Sequence, residues 1–150
     1  MRASAHRRKY QDDGIHKAGA CGTKPNQEIV ITRSRFGETA INDWSIADAP
    51  GSNATIIGQA QGLHTQASQG NRDSFTIIMN LVFQDGRFKG STLQAMGFIH
   101  EDGQWSIMGG TGQLTLARGY ISHRVIESAK TYRIYEANIR VYYTRLGRIH

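Results

Sequence analysis

The 150-residue sequence predicts a single all-β domain. Isoleucine, with 16 residues, far outnumbers leucine, with six, and β-branched side chains suit a pleated, half-buried surface better than a helix. From Gln27 onward, short apolar runs are punctuated by glycine and turn-forming residues, and no helical segment is long enough to cover a sheet face. Near the end, Tyr135, Ala137, Ile139, Val141 and Tyr143 alternate with Glu136, Asn138, Arg140 and Tyr142, which marks a strand with one buried and one wet face. Long strands joined by short turns favour closure into a barrel or sandwich, because an open sheet leaves unpaired edges.

Residues 1–24 lack helical or strand periodicity and read as a poorly ordered basic N-terminal segment outside the core. The domain proper covers 25–146, and 147–150 form a tail. Strands are predicted at 28–32, 39–41, 54–65, 74–83, 91–99, 103–108, 113–126 and 132–144. Asp85-Gly86 and Asp102-Gly103 read as hairpin turns, and Gly109, Gly110 and Gly112 crowd a corner where positive φ is expected. Consecutive hairpins imply an antiparallel meander.

The formal net charge of +6 belongs to the two ends. Residues 1–24 carry six Lys or Arg against two Asp, and 118–150 carry seven against two Glu, whereas 25–117 hold five against eight acids. A nucleic-acid surface gathers cations on one face among stacking aromatics, so the mildly acidic middle argues against that partner. The lone Cys21 excludes an internal disulfide and a thiolate zinc site. No apolar run approaches the length of a membrane-spanning helix, and the basic start is not followed by the apolar segment of a secretory signal.

Few motifs carry chemistry by themselves. GGTG at 109–112 lacks the lysine and hydroxyl residue of a phosphate loop. The six histidines show no ligand spacing, and no metal is expected. His64 lies in a candidate strand, where it either lines a ligand cavity or is a hydrogen-bonded strand histidine. Asp43, in Asn42-Asp43-Trp44 after a short apolar strand, is either a turn cap or a carboxylate at a barrel mouth. Asn53-Ala54-Thr55 fits a glycosylation sequon, which matters only on a secretory route.

Four stretches, FGETAINDWSI (36–46), IIGQAQGLH (56–64), NLVFQDGRFKGSTLQAMG (80–97) and GGTGQLTLARGY (109–120), resemble in order and spacing the plant dirigent family. The family shows FG with an Asp seven residues after the Phe, a GRAQG-like strand, an FxxGxxxGSTL hairpin and GGTGxFxxARG. NQEIVI, NDW and SIMGGTGQLTLARG are similar to the dirigent half of monocot chimeras that join this domain to a jacalin-type lectin. No lectin half lies within these 150 residues.

The resemblance implies an antiparallel eight-stranded β-barrel of dirigent or allene oxide cyclase-like type, assembled as a homotrimer or homodimer. Its ligand would be a monolignol-derived phenoxy radical supplied by a separate oxidase, and its role stereoselective coupling in lignan-type biosynthesis without oxidising activity or a cofactor. Asp43 corresponds to the family's DDPLT-type aspartate and is the candidate catalytic residue, with Arg118 as framework. His64, Phe75, Phe83, Phe88 and Phe98 are the candidate pocket lining, with plain core packing as the other reading of each aromatic.

Three departures qualify that picture. The family's aromatic-rich first strand has no convincing counterpart in KYQDDGIHKAGAC, so the first strand reads as degenerate or missing, leaving an edge that residues 1–24 or a neighbouring chain must cover. Ile99 stands where the lignan-forming branch has an Asp, and Gly103 where it has an Arg. These losses favour the alternative, a defence module that binds carbohydrate or a protein partner without influencing a reaction. That alternative tolerates a filled barrel and displays Trp44 and Trp105 at the surface. By resemblance the protein is apoplastic; without a visible signal segment, cytoplasmic location is the alternative.

Overall fold

The computed structural model describes residues 11–12, 15–22, 36–51, 53–69, 74–129 and 132–144, the first two segments as backbone. These residues form nine strands: β1 (Gln11–Asp12), β2 (Ile15–Gly22), β3 (Thr39–Ala47), β4 (Ile56–Gln66), β5 (Phe75–Phe83), β6 (Thr92–Ile99), β7 (Asp102–Thr111), β8 (Arg118–Ser128) and β9 (Arg133–Tyr143). From β3 to β9 each strand pairs antiparallel with the next, and β9 pairs on its other side with β1 and β2. Because β2 also pairs with β3, the sheet closes on itself as an eight-stranded barrel, the short β1 being an addition on the flank of β9. The all-β barrel of the sequence reading is the fold observed.

The strand at Ile15–Gly22 takes the place of the first strand that the sequence reading called degenerate or missing. Its Cα partners run from Ile15↔Ile139 to Gly22↔Ile134 on one side and are Cys21↔Ile46 and Gly22↔Ser45 on the other. Two register shifts interrupt the pairing with β9, so the first strand is present and irregular. The unpaired amides and carbonyls of β3 and β9 require partners, and that demand recruits a segment whose own β-propensity is weak. The strand predicted at 28–32 lies outside the described residues.

Three other boundaries move. β3 runs through Asn42-Asp43-Trp44 to Ala47, because every residue from Thr39 to Ile46 has a partner on β4 and that pairing overrides the turn preference of Asn-Asp. Asp102-Gly103 opens β7, paired with Arg124 and His123, and His100-Glu101 make the turn. Where a strand was predicted from residue 113, Gly112–Leu114 form a 3₁₀ turn and β8 begins at Arg118. Of the three corner glycines only Gly112 has positive φ, at 62°, while Gly110 serves close approach: a Cβ there would stand 2.3 Å from the Leu114 carbonyl oxygen.

The side-chain period of two places one set of residues inside. Trp44, Ile46, Ala60, Ile77, Met79, Leu81, Leu93, Ala95, Trp105, Ile107, Ile121, Ile139 and Val141 form the core, and the face predicted for β9 is the buried one. One end of the barrel is sealed by the two 3₁₀ turns. At Gly86–Phe88 the Asp85 carboxylate accepts from the Gly86 amide at 2.6 Å, and Phe88 packs against Phe83 and Tyr143. At Gly112–Leu114 the fully buried Leu114 plugs the interior, and the Gln113 amide donates to Ser91 Oγ at 3.0 Å. The β6–β7 and β8–β9 connections lie at the opposite end.

Candidate functional site

Four inward-facing rings build the centre of the site. Trp44 stacks on Tyr135 with centroids 6.0 Å apart and planes 14° from parallel. His123 stacks on Trp105 at 4.0 Å and 22°, and meets Tyr135 edge-on at 5.8 Å. Each follows from strand alternation: Trp44 lies between outward Asp43 and Ser45, Trp105 between Gln104 and Ser106, His123 between Ser122 and Arg124. The Trp105 indole N–H donates to the Phe98 carbonyl at 2.8 Å, so that ring is fixed and satisfied. Space for it comes from Gly97, where a Cβ would stand 2.7 Å from Trp105 Cδ1.

A few polar atoms interrupt this apolar interior. Among the described residues, both ring nitrogens of His123, a residue only 4% exposed, lack a hydrogen-bond partner, as does Asn42 Nδ2. Buried polar groups are almost always paired, so these atoms set His123 and Asn42 apart from the rest of the interior. Burial lowers the His123 pKa, and the nearby His100 lowers it further against the opposing influence of Asp102. The imidazole is therefore neutral at pH 7, with one donor and one acceptor nitrogen. Among the described residues no carboxylate is buried, and the buried polar side chains are Asn42, Gln66, Ser91 and His123.

The predicted site residues divide between three places. His64 and Phe75 come together inside, edge to face at 5.3 Å, with His64 Nδ1 2.8 Å from Asn42 Oδ1. Phe83 and Phe88 also meet, but in the packing of the sealed end, beside Tyr143 and the Arg87 side chain that donates to its hydroxyl at 2.6 Å. Phe98 and Asp43 do not face the interior. Phe98 is 52% exposed because Gly97 and Ile99 on either side take the inward positions of β6. Asp43 is exposed between buried Asn42 and Trp44, and its carboxylate accepts from Gln61 on the outer surface at 3.2 Å. The inward positions on either side of Asp43 are taken by an amide and an indole.

Trp44 and Trp105, anticipated as surface groups of a binding module, are 8% and 4% exposed and belong to the core. The sequence did not single out His123, since neither spacing nor composition distinguished it from five other histidines. Its one signal is the cross-strand register, which sets it opposite Gly103 and becomes visible only once β7 and β8 are paired. Ile99 packs against the core, so this departure from the family pattern faces inward. Asn53 is exposed on the β3–β4 connection.

A family model described as dirigent-like protein matches residues 10–142. Dirigent protein 8 of Arabidopsis thaliana is 30% identical over 122 residues, a match covering 79% of this chain and 69% of the relative. Pterocarpan synthase 1 of Glycyrrhiza echinata is 34% identical over 110 residues, covering 66% and 58%. The first such relatives are spanned over 60% to 69% of their length. In fold, the chain is similar to the pterocarpan synthase dirigent protein GePTS1, with a TM-score of 0.77 at 24% identity over 97% of this chain and 98% of that one. The motifs, the closed antiparallel barrel and the match over residues 10–142 agree, and the chain belongs to the dirigent family.

Proposed function

We propose that this protein binds a phenolic, monolignol-derived radical inside the barrel and directs its stereoselective coupling, with a separate oxidase supplying the radicals. The observation that carries the reading is the buried ring cluster of Trp44, Trp105, Tyr135 and His123 with unpartnered polar atoms beside it. Flat aromatic walls with a few convergent polar groups suit a planar phenol. Directing a radical requires that one face be presented, which is catalysis by orientation. A tenfold preference between two faces corresponds to about 1.4 kcal/mol, within reach of one or two well-placed hydrogen bonds.

The pterocarpan synthase relatives extend the candidate ligands to the precursors of a pterocarpan. Burial of both tryptophans weighs against the carbohydrate-binding alternative, since sugar recognition needs such rings at the surface with several polar groups around them. Equilibrium dialysis of coniferyl alcohol and of a panel of neutral sugars against the folded protein separates the two classes. Saturable binding of the phenol alone is expected; binding of a sugar and not of the phenol overturns the proposal. The proposal includes apoplastic location. Passage through the secretory pathway would expose Asn53 to glycosylation, seen as a mass loss on treatment of plant-expressed protein with a deglycosylating enzyme.

A further inference from the structure

We propose that His123 holds the phenolic oxygen of the bound ligand, through the ring edge that faces Gly103. The inference rests on the phenolic reading of the site and names the residue that makes its polar contact. Gly103, an exposed residue, lies directly opposite His123 in the β7–β8 register. A Cβ added to Gly103 would stand 3.5 Å from His123 Nε2 and 3.7 Å from Cε1, so the Nε2–Cε1 edge faces the space that a side chain at this position would enter. A larger residue at 103 would fill that space, whereas glycine leaves it free.

The fold does not require the imidazole nitrogens. One face of the ring is covered by Trp105 and its flank by Tyr135, contacts that a phenylalanine would make equally well. Neither nitrogen has a partner within the described residues, so burial costs the polar groups their hydration with nothing returned by the fold. A histidine in this setting is explained by a partner from outside. As a neutral ring, His123 offers one donor and one acceptor, which match the acceptor and donor of a phenolic hydroxyl. The absence of buried charge among the described residues leaves a carboxylate or ammonium ligand without a counterion and favours a neutral phenol. Trp105 fixes the plane of the imidazole, so the oxygen it holds is fixed in direction as well as position.

Calorimetric titration of coniferyl alcohol into wild type and His123→Phe, with thermal unfolding of both, tests the assignment. Expected are binding by wild type, binding about tenfold weaker by His123→Phe, and an equal or higher unfolding midpoint for the variant. Equal binding by both proteins overturns the assignment and leaves the phenolic reading standing. Absence of binding by folded wild type overturns both. Should His123→Phe fail to fold, the wild type decides by itself: the ¹⁵N shifts of the His123 ring must move on addition of coniferyl alcohol, and shifts unmoved at saturation overturn the assignment.

Discussion

Burial and the neighbouring His100 hold the His123 pKa below its ordinary value of 6.5, with Asp102 opposing them. A depressed histidine pKa means that the unfolded chain binds the extra proton more readily than the folded one. The contribution of this group to stability is therefore complete above about pH 6.5 and declines as the pH falls below it. Thermal midpoints measured between pH 7.5 and pH 5 should fall further for wild type than for His123→Phe, since the difference between the two isolates this ring. Asp43 makes the opposite prediction. Among the described residues its exposed carboxylate meets only Gln61, on the outer surface, so Asp43→Ala should change stability by less than about 0.5 kcal/mol and leave phenol binding intact, as read by denaturant titration and dialysis. The sequence reading ended the strand at Ile41, before Asp43, because the Asn-Asp turn preference is local whereas the pairing with β4 that carries β3 to Ala47 is not, and the face the aspartate takes depends on that pairing.

Strand alternation was the most legible property of the elements. The buried face of β9 follows from Tyr135 to Tyr143 without reference to any other part of the chain, because a period of two is local. Strand β2 was illegible for the converse reason: its pairing is set by the open edges of β3 and β9, which lie far away in sequence. Amide hydrogen exchange should show protection at Ile15–Gly22, weaker than in β5 because two register shifts interrupt the ladder with β9. Exchange as fast as in an unstructured peptide would mean that the barrel closes some other way. The sealed end depends on the 3₁₀ turn at Gly112–Leu114, whose Leu114 is fully buried. Leu114→Ala should cost about 2 to 5 kcal/mol in denaturant unfolding, the range for emptying a leucine-sized site in a packed core.

Closure gives the whole molecule its polarity: one end plugged by Phe88, Leu114 and Tyr143, the other carrying His64, Phe75 and the Gly103–His123 pair. The outer surface has its own pattern. Ile41, Leu63, Ile78 and Met96 are successive cross-strand partners on β3 to β6, and three of them are at least 40% exposed. A continuous apolar row of this kind is the natural place for the self-association inferred from the family resemblance. Sedimentation velocity should show a dimer or trimer for wild type, and the double variant Ile78→Lys, Met96→Glu should sediment as a monomer. Orientation of a radical inside the barrel is the central claim, and product stereochemistry reports it most directly. In oxidase-driven coupling of coniferyl alcohol, chiral chromatography of the pinoresinol formed should show an enantiomeric excess that rises with protein concentration and then saturates. A racemic product at every concentration of verified folded protein would contradict it.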